Sequence, residues 1–447
     1  MNKVSLLIFL VVSLFALPES KAEKPNVYTL GKLLELAARH NFVQASKEEA
    51  VVAEARLEEA ESGLYPKFKL SAFIAPSPDV DCENPECSVT AQRNATLDLE
   101  GIFGGARADL VQPLYTFGKL SAVKKAAGVA ATAARIAVQE RQGQIGLRTA
   151  QAYFGLKLAK ELRAMLQEGK NQLDKAFTLV KKDISKGGSL TIQDRLRLET
   201  LRAEVEARLS VVSEAEQTAL AGIRTLTGDP KAKVDSKPLA REEFPTRKNA
   251  KSAVQTALKS NPKMRAGRLQ SDAAREITTA QKRNWWPNLL LLARFNIARA
   301  QGVDDPPSAF ANDPFNVTSL AAGLFMQWDL DPWGQTAKVK GANARVRQAL
   351  QLVKAGESAL AIKTQSVLAR IRSADRRITT SKAGVKSAKA WVASVIQGEA
   401  LGVVAPKDLA DAYIAYFTVK SRLLESLFDW NVANYELLKL LGEFPLK

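Results

Sequence analysis

Asp408 and Asp411 are the residues whose type and spacing most suggest a task. Three apart in a helical stretch, they share one face and form a patch of negative charge. Acids just after Pro406 also suit a helix N-terminus, where the macrodipole favours them and proline fits the first position. Spacing alone leaves both readings open. Asp194 holds the equivalent place after an earlier turn, where Thr191-Ile192-Gln193-Asp194 reads as a capping box with Asp in place of Glu. Other chemistry is sparsely provided for. His40 is the one histidine in 447 residues, which weighs against histidine-based catalysis and against a His-rich metal site. We find no nucleophile elbow, P-loop or zinc pattern, and expect neither catalysis nor a cofactor.

Compartment bears on the two cysteines. Lys3, the apolar stretch 4–17 and Ser20-Lys21-Ala22 read as a signal peptide over residues 1–22. A short membrane anchor is the alternative, but the stretch is too short to span comfortably. No Cys follows the cleavage site, so no lipid is expected at the mature N-terminus. Cys82 and Cys87 lie in a polar stretch with Pro78 and Pro85. In an exported chain they are expected to pair and close a small loop, with free thiols as the alternative. The formal net charge is +17. Basic residues are spread along helical stretches and mixed with Glu, which argues against nucleic acid and for solvated helix faces or a basic duct lining.

The elements that carry these residues occur twice. Residues 30–63 read as a helix ended by Leu64-Tyr65-Pro66, because the residue before proline is pushed out of the α region. Residues 67–75 then alternate: Phe68, Leu70, Ala72 and Ile74 against Lys67, Lys69 and Ser71. A polar loop, a second alternating run (Ala95, Leu97 and Leu99 against Thr96, Asp98 and Glu100) and a return through Leu110 and Leu114 complete a hairpin over 67–116. Residues 119–183 form a proline-free helical pattern, about 100 Å long at helical rise. It breaks at Gly187-Gly188, and a further helix runs to about 226. Residues 229–249 hold Pro230, Pro238 and Pro245 and read as a linker outside the helical shaft.

The second copy covers 250–447. A helix over 250–284 leads to Trp285-Trp286-Pro287, a hairpin over 288–332, a long helix over 335–397, a break at 398–406 and a last helix. In its return strand Leu320, Ala322, Leu324 and Met326 oppose Ser319, Ala321, Gly323 and Gln327, with Trp328 and Leu330 continuing the apolar face. Gly334 lies 216 residues after Gly118, whereas Gly402, Asp408 and Gly442 each lie 214 after Gly188, Asp194 and Gly228. A first repeat over 23–228 and a second over 250–447 follow from this register. In the first half the two shorter helices, stacked end to end, match the length of the long one beside them.

Each half supplies two strands of membrane-crossing length. Four strands left open would expose backbone edges to lipid at several kcal/mol per unsatisfied group, so the chain is expected to oligomerise into a closed barrel. Tyr65, Tyr115, Phe117, Trp285, Trp286, Trp328 and Trp333 fall where strands meet helices, the place of an aromatic belt; core packing is the alternative. The expected class is an α+β membrane protein built from a duplicated strand-hairpin and long-helix repeat.

Taken together, YPKFKLSAFIA and WPNLLLLARFNIA before the hairpins, PLYTFGKLSAVKKA and LDPWGQTAKVKGA at the barrel-to-helix junctions, and the paired Gly-x5-Asp turns resemble the TolC family of outer-membrane efflux proteins over essentially the whole mature chain. The resemblance implies a homotrimer with one twelve-stranded barrel in outer-membrane lipid and a periplasmic α-helical tunnel. It also implies an equatorial region including 228–248, a periplasmic adaptor (membrane fusion) protein, and an inner-membrane transporter of RND or ABC type. Asp408 and Asp411 match the aspartates that ring the periplasmic aperture; three copies would form an acidic collar attracting cations. Glu399 and Val404 stand near positions where the family often carries Arg and Tyr latches, which leaves Lys186 or Lys407 with Asp408 as candidate closing contacts. The implied function is small-molecule efflux, with type I protein secretion as the alternative. A non-conducting tether would need no polar lumen, and a soluble coiled-coil module would need no amphipathic strands.

Overall fold

The computed structural model describes residues 26–77, 101–188, 190–245, 249–301, 315–400 and 406–445. The signal peptide, Cys82, Cys87 and the run 95–100 lie outside the described residues, as do Gly402 and Val404; so do the side chains of Glu399 and Lys407.

After a short strand β1 (Val27–Tyr28), α1 (Leu30–Ala37) and α2 (Asn41–Ser62) precede β2 (Lys67–Ser77) and β3 (Gly101–Tyr115). The long helix α3 (Lys119–Ser185) turns into α4 (Ile192–Thr227), and β4 (Lys233–Val234) follows. The second copy runs α5 (Ala250–Ser260), α6 (Pro262–Arg283), β5 (Asn288–Ala300), β6 (Val317–Gln327), α7 (Pro332–Ala400) and α8 (Pro406–Leu441).

Each helix expected to be single before a hairpin is two. His40 caps α2, its Nδ1 accepting from Phe42 N at 3.3 Å, which gives the one histidine a structural task. Asn261 caps α6, accepting from Met264 N at 3.2 Å with Pro262 in the first turn. Asn before Pro favours such a start, since proline disfavours the α region in the residue before it.

Stacking of short helices on long ones is observed. Helix α3 packs against α2 and α4 of its own repeat and against α6 and α8 of the other. Helix α7 packs against α5, α6 and α8. Helices α4 and α8 both end on a left-handed glycine, Gly228 at φ 67° and Gly442 at φ 71°, the same stop in both repeats.

The linker reading needs correction. Residues 229–245 are strapped onto the shaft. Strand β4 pairs in parallel with β1, and Ala232, Val234 and Leu239 are buried beside Leu33, Phe154, Leu156 and Tyr435. Proline excludes helix here, but the apolar residues between the prolines still have a core to cover.

Four strands form a second sheet, in the order β2-β3-β5-β6, all antiparallel. The seam between repeats is therefore β3 with β5. Pro76 is tolerated because β2 is an edge, and Pro113 sits where the β3–β5 register shifts, since it has no N–H for an inner strand. Strand β2 runs on to Ser77, beyond the expected alternation over 67–75, β3 ends at Tyr115, and β6 ends at Gln327, before Trp328.

Candidate channel wall, junctions and aperture

Pairing in the sheet decides its two faces. Phe68, Leu70, Ala72 and Ile74 face Leu110, Ala108, Ala106 and Gly104 in register; these continue to Ala293, Phe295, Ile297 and Arg299 across β3–β5. Ala322, Leu320 and Thr318 continue the first three rows on β6, and Leu324, opposite Leu291, extends the same face one layer nearer the helices. Phe68, Leu70, Ile74 and Leu320 are 77–80% exposed. Burying a side chain of this size is worth about 1.5–3 kcal/mol, so a row of them left in water marks a surface made for lipid. The opposite face carries Lys67, Lys69, Arg107, Asp109, Arg294, Asn296 and Ser319. Among the described residues no helix is long and apolar enough to cross a membrane.

Aromatic residues occupy all four strand–helix borders. Tyr65 lies between α2 and β2, Tyr115 and Phe117 between β3 and α3, Trp285 and Trp286 between α6 and β5, and Trp328 and Trp333 flank the start of α7. Trp333 is 85% exposed. Phe117 stacks on Trp286 at 5.3 Å, and Trp328 Nε1 donates to Trp285 O at 3.1 Å, so borders of both repeats are laced together. Pro66 and Pro287 stand just before β2 and β5.

Gly118 and Gly334, expected to be equivalent, differ. Gly118 precedes α3 in the left-handed region at φ 75°, and Arg283 Nη1 donates to its carbonyl at 2.7 Å. A Cβ there would run into the Arg283 guanidinium. Gly334 already lies inside α7, its N–H donating to Asp331 Oδ1 at 2.9 Å. Pro332 starts the second helix earlier, and Asp331 supplies a side-chain cap that Phe117-Gly118 lacks.

At the far end of α3, Gly187 takes the left-handed turn at φ 72°. Gly188 is required for a different reason: the Asp183 carboxylate occupies the space a Cβ would take, with Asp183 Oδ2 accepting from Leu190 N at 2.9 Å. Thr191 and Asp194 form the expected capping box, with Thr191 N donating to Asp194 Oδ2 at 2.9 Å and Asp194 N to Thr191 Oγ1 at 3.3 Å.

Asp408 lies half-buried in the first turn of α8. Asp411, one turn on, is bound by Arg197 Nη2 of α4. Arg197 and Asp411 are 214 residues apart, the offset that relates the repeats, so corresponding positions of the two halves meet here. Sequence spacing gave no signal of this pair, because nothing local to Arg197 points to α8. The two acids share a face as expected, but one of them is charge-paired within the chain.

A polar hub in the middle of the shaft also escaped the sequence reading. Tyr153 and Lys157 of α3 donate to Asp235 at 2.6 and 2.8 Å, and Lys237 N adds a bond at 3.1 Å. Burial pushes the Asp235 carboxyl upward, but the bonds from Lys157 and Tyr153 outweigh it and hold it below the usual range. The Tyr153 hydroxyl is pushed up by burial and by that carboxylate. Next to the hub Tyr435 donates to Glu242 at 3.1 Å, and burial raises the Glu242 carboxyl. Asn431 receives Glu242 N at 3.0 Å and donates to Ala240 O at 2.8 Å, fastening the strap to α8. The spacing of Tyr153 and Lys157, four apart on one helix face, was the available signal.

Residues 253–443 match the family described as outer membrane efflux protein. No curated protein matches the sequence. Among solved structures, the fold is similar to the outer membrane protein VceC of Vibrio cholerae, at 18% identity over 94% of this chain and 97% of that one, TM-score 0.72. It is similar to the MtrE outer membrane channel of Neisseria gonorrhoeae, at 16% identity over 94% and 89%, TM-score 0.74. The CmeC outer membrane channel of Campylobacter jejuni covers 100% of this chain and 95% of its own at 15% identity, TM-score 0.74. Residues 253–443 thus resemble the outer membrane efflux protein family, and the fold is shared with these outer-membrane channels over nearly the whole chain.

Proposed function

We propose that three copies of this chain close a twelve-stranded barrel in the outer membrane and continue it into a helical tunnel in the periplasm. The observation that carries this is the two-faced sheet with edges at β2 and β6, joined directly to helices of 67 and 69 residues. Lipid leaves an open edge no partner for its backbone groups, and closure by copies satisfies them. Helices of this length reach about 100 Å from the barrel. The tunnel serves as the outer duct for a periplasmic adaptor and an inner-membrane transporter of RND or ABC type, which supply the energy. Small-molecule efflux is the favoured task.

The aromatic border from Tyr65 to Trp333 anchors the barrel at the membrane surface. Asp408, Asp411 and Asp194 surround the periplasmic aperture, beside the turn at Gly188. Arg197 on Asp411 supports a closing role for that turn, since it ties α4 to α8. Asp194 acts first as a cap. Replacing Asp408 and Asp411 by Asn should weaken block by divalent cations from the periplasmic side.

The test of the whole reading is fractionation followed by single-channel recording. Outer-membrane localisation with unitary conductance is expected; outer-membrane protein without conductance would favour a tether, and a soluble product would refute both. Crosslinking in cells then separates the tasks: capture of a drug-type pump supports efflux, and capture of an ABC exporter supports protein secretion.

A further inference from the structure

Strand pairing puts a band of positive charge on the water side of the barrel wall. Lys69 faces Asp109, which faces Arg294 on β5; one layer on, Ser71 faces Arg107, which faces Asn296. Lys67 stands one layer nearer the helices. All four basic side chains are exposed. Asp109 is taken up by Arg294 at 2.5 Å. On the described strands this face therefore carries four basic side chains against one carboxylate, a surplus of three per chain and nine in a trimer. From the layer of Lys67 to that of Arg107 is about 13 Å along the strand. Charges that close, on a ring with low-dielectric walls, act together on an ion passing through. Beyond the band the same face is apolar: Phe103 packs edge-on against Phe73 at 4.8 Å and Phe315 at 5.2 Å. At the other end of the duct the negative charge is reduced, because Arg197 holds Asp411.

We propose that the basic band makes the barrel lumen anion-selective, and that the cargo class it suits is organic anions bearing carboxylate or phosphate groups. Lys67, Lys69 and Arg107 are the selectivity residues, and Arg294 serves to neutralise Asp109. The proposal rests on the channel reading above. It sets the control of selectivity in the membrane segment and leaves the aspartates at the aperture a lesser share.

Reversal potentials of the purified protein in planar bilayers under a KCl gradient test it. A chloride-to-potassium permeability ratio above one is expected. Lys67→Gln, Lys69→Gln and Arg107→Gln, made one position at a time, each remove three charges from the trimer and should each lower that ratio at least about threefold, the Coulomb weight of even one charge some 6 Å from the ion in a water-like dielectric. Mellitate, a benzene ring with six carboxylates, should block the wild type and block each variant less. Conductance with a potassium preference in the wild type would overturn the proposal while leaving the channel reading intact. A chloride preference unchanged in all three variants would overturn it as well, by placing selectivity elsewhere. Absence of any conductance would overturn the channel reading and the proposal with it. The wild-type measurement decides even where a variant fails to insert.

Discussion

Replacing Asp235 by leucine would strand an ammonium group inside the helical shaft. The Lys157 side chain is 9% exposed and that of Asp235 13%, with Nζ and Oδ1 2.8 Å apart. Removing one member of such a pair costs about 3–5 kcal/mol, because the other charge stays buried without compensation. The Tyr153 hydroxyl, which donates to the same carboxylate at 2.6 Å, would lose its partner too, adding about 1–3 kcal/mol. Slight solvent access lets Lys157 partly escape, so about 4 kcal/mol is the expected total. Removing all the polar groups at once is a different matter. The triple variant Tyr153→Phe, Lys157→Met and Asp235→Leu leaves no unpaired charge or hydroxyl and should lie within about 2 kcal/mol of wild type, since apolar replacement of a buried pair is often near neutral. The assay is urea unfolding of the detergent-solubilised protein, followed by helical circular dichroism, for the single and triple variants. A triple variant as unstable as Asp235→Leu, or a single variant costing less than about 1 kcal/mol, would refute the claim that the hub is a coupled, buried unit.

Gly118→Ala should cost about 1–2 kcal/mol from the left-handed backbone alone, and should also displace Arg283. Gly334→Ala has no such backbone strain and should lose no more than its cap, about 1 kcal/mol; thermal melts that rank the two the other way round would contradict the junction geometry. Arg197→Ala frees Asp411 in every copy. At about 0.5 kcal/mol for each half-exposed pair, three copies shift opening by about 1.5 kcal/mol, or tenfold; an open probability unchanged in single-channel records would exclude a latch. Acid should destabilise the fold through Asp235 and Glu436. Burial pushes both up, but bonds from Lys157 and Tyr153, and from Lys363 and Arg370, hold both below their usual values. Their stabilisation is complete above the unfolded value near about pH 4 and is lost as pH falls through the folded values. Glu242, raised by burial, works in the opposite sense: the native state holds its proton more tightly, so acidification through the range above about pH 4 offsets part of the loss. Melting midpoints between pH 3 and 7 should fall less steeply for Asp235→Asn than for wild type, and equal slopes would argue against the linkage.

Periodicity and punctuation made much of the architecture legible. Alternation in 67–75 placed Phe68, Leu70 and Ile74 on one face, and the strand register keeps them there. Gly228 and Gly442 mark equivalent helix ends because a left-handed stop favours glycine. The capping box at Thr191 was readable because both its bonds are local. Local signals also misled. Gly118 and Gly334 sit in similar strings, yet Asp331-Pro332 starts one helix early and changes what the glycine does. The prolines of 229–249 speak against helix but not against packing, and Val234 and Leu239 between them carry the burial. What sequence could not supply is partnership at distance. Asp235 meets Lys157 across 78 residues and Asp411 meets Arg197 across 214, and both depend on how long helices lie side by side.

The contact between Arg197 and Asp411 also bears on why the two halves are fused. A ring built from separate, identical half-length subunits would bring a residue against its own copy at such a point. Arginine would meet arginine, or aspartate would meet aspartate, and either choice repels. Joining the halves in one polypeptide lets the same position carry opposite charges in the two hairpins, so attraction replaces repulsion between them. In this chain duplication has supplied not only length but difference, and the difference is expressed where the two hairpins hold one another.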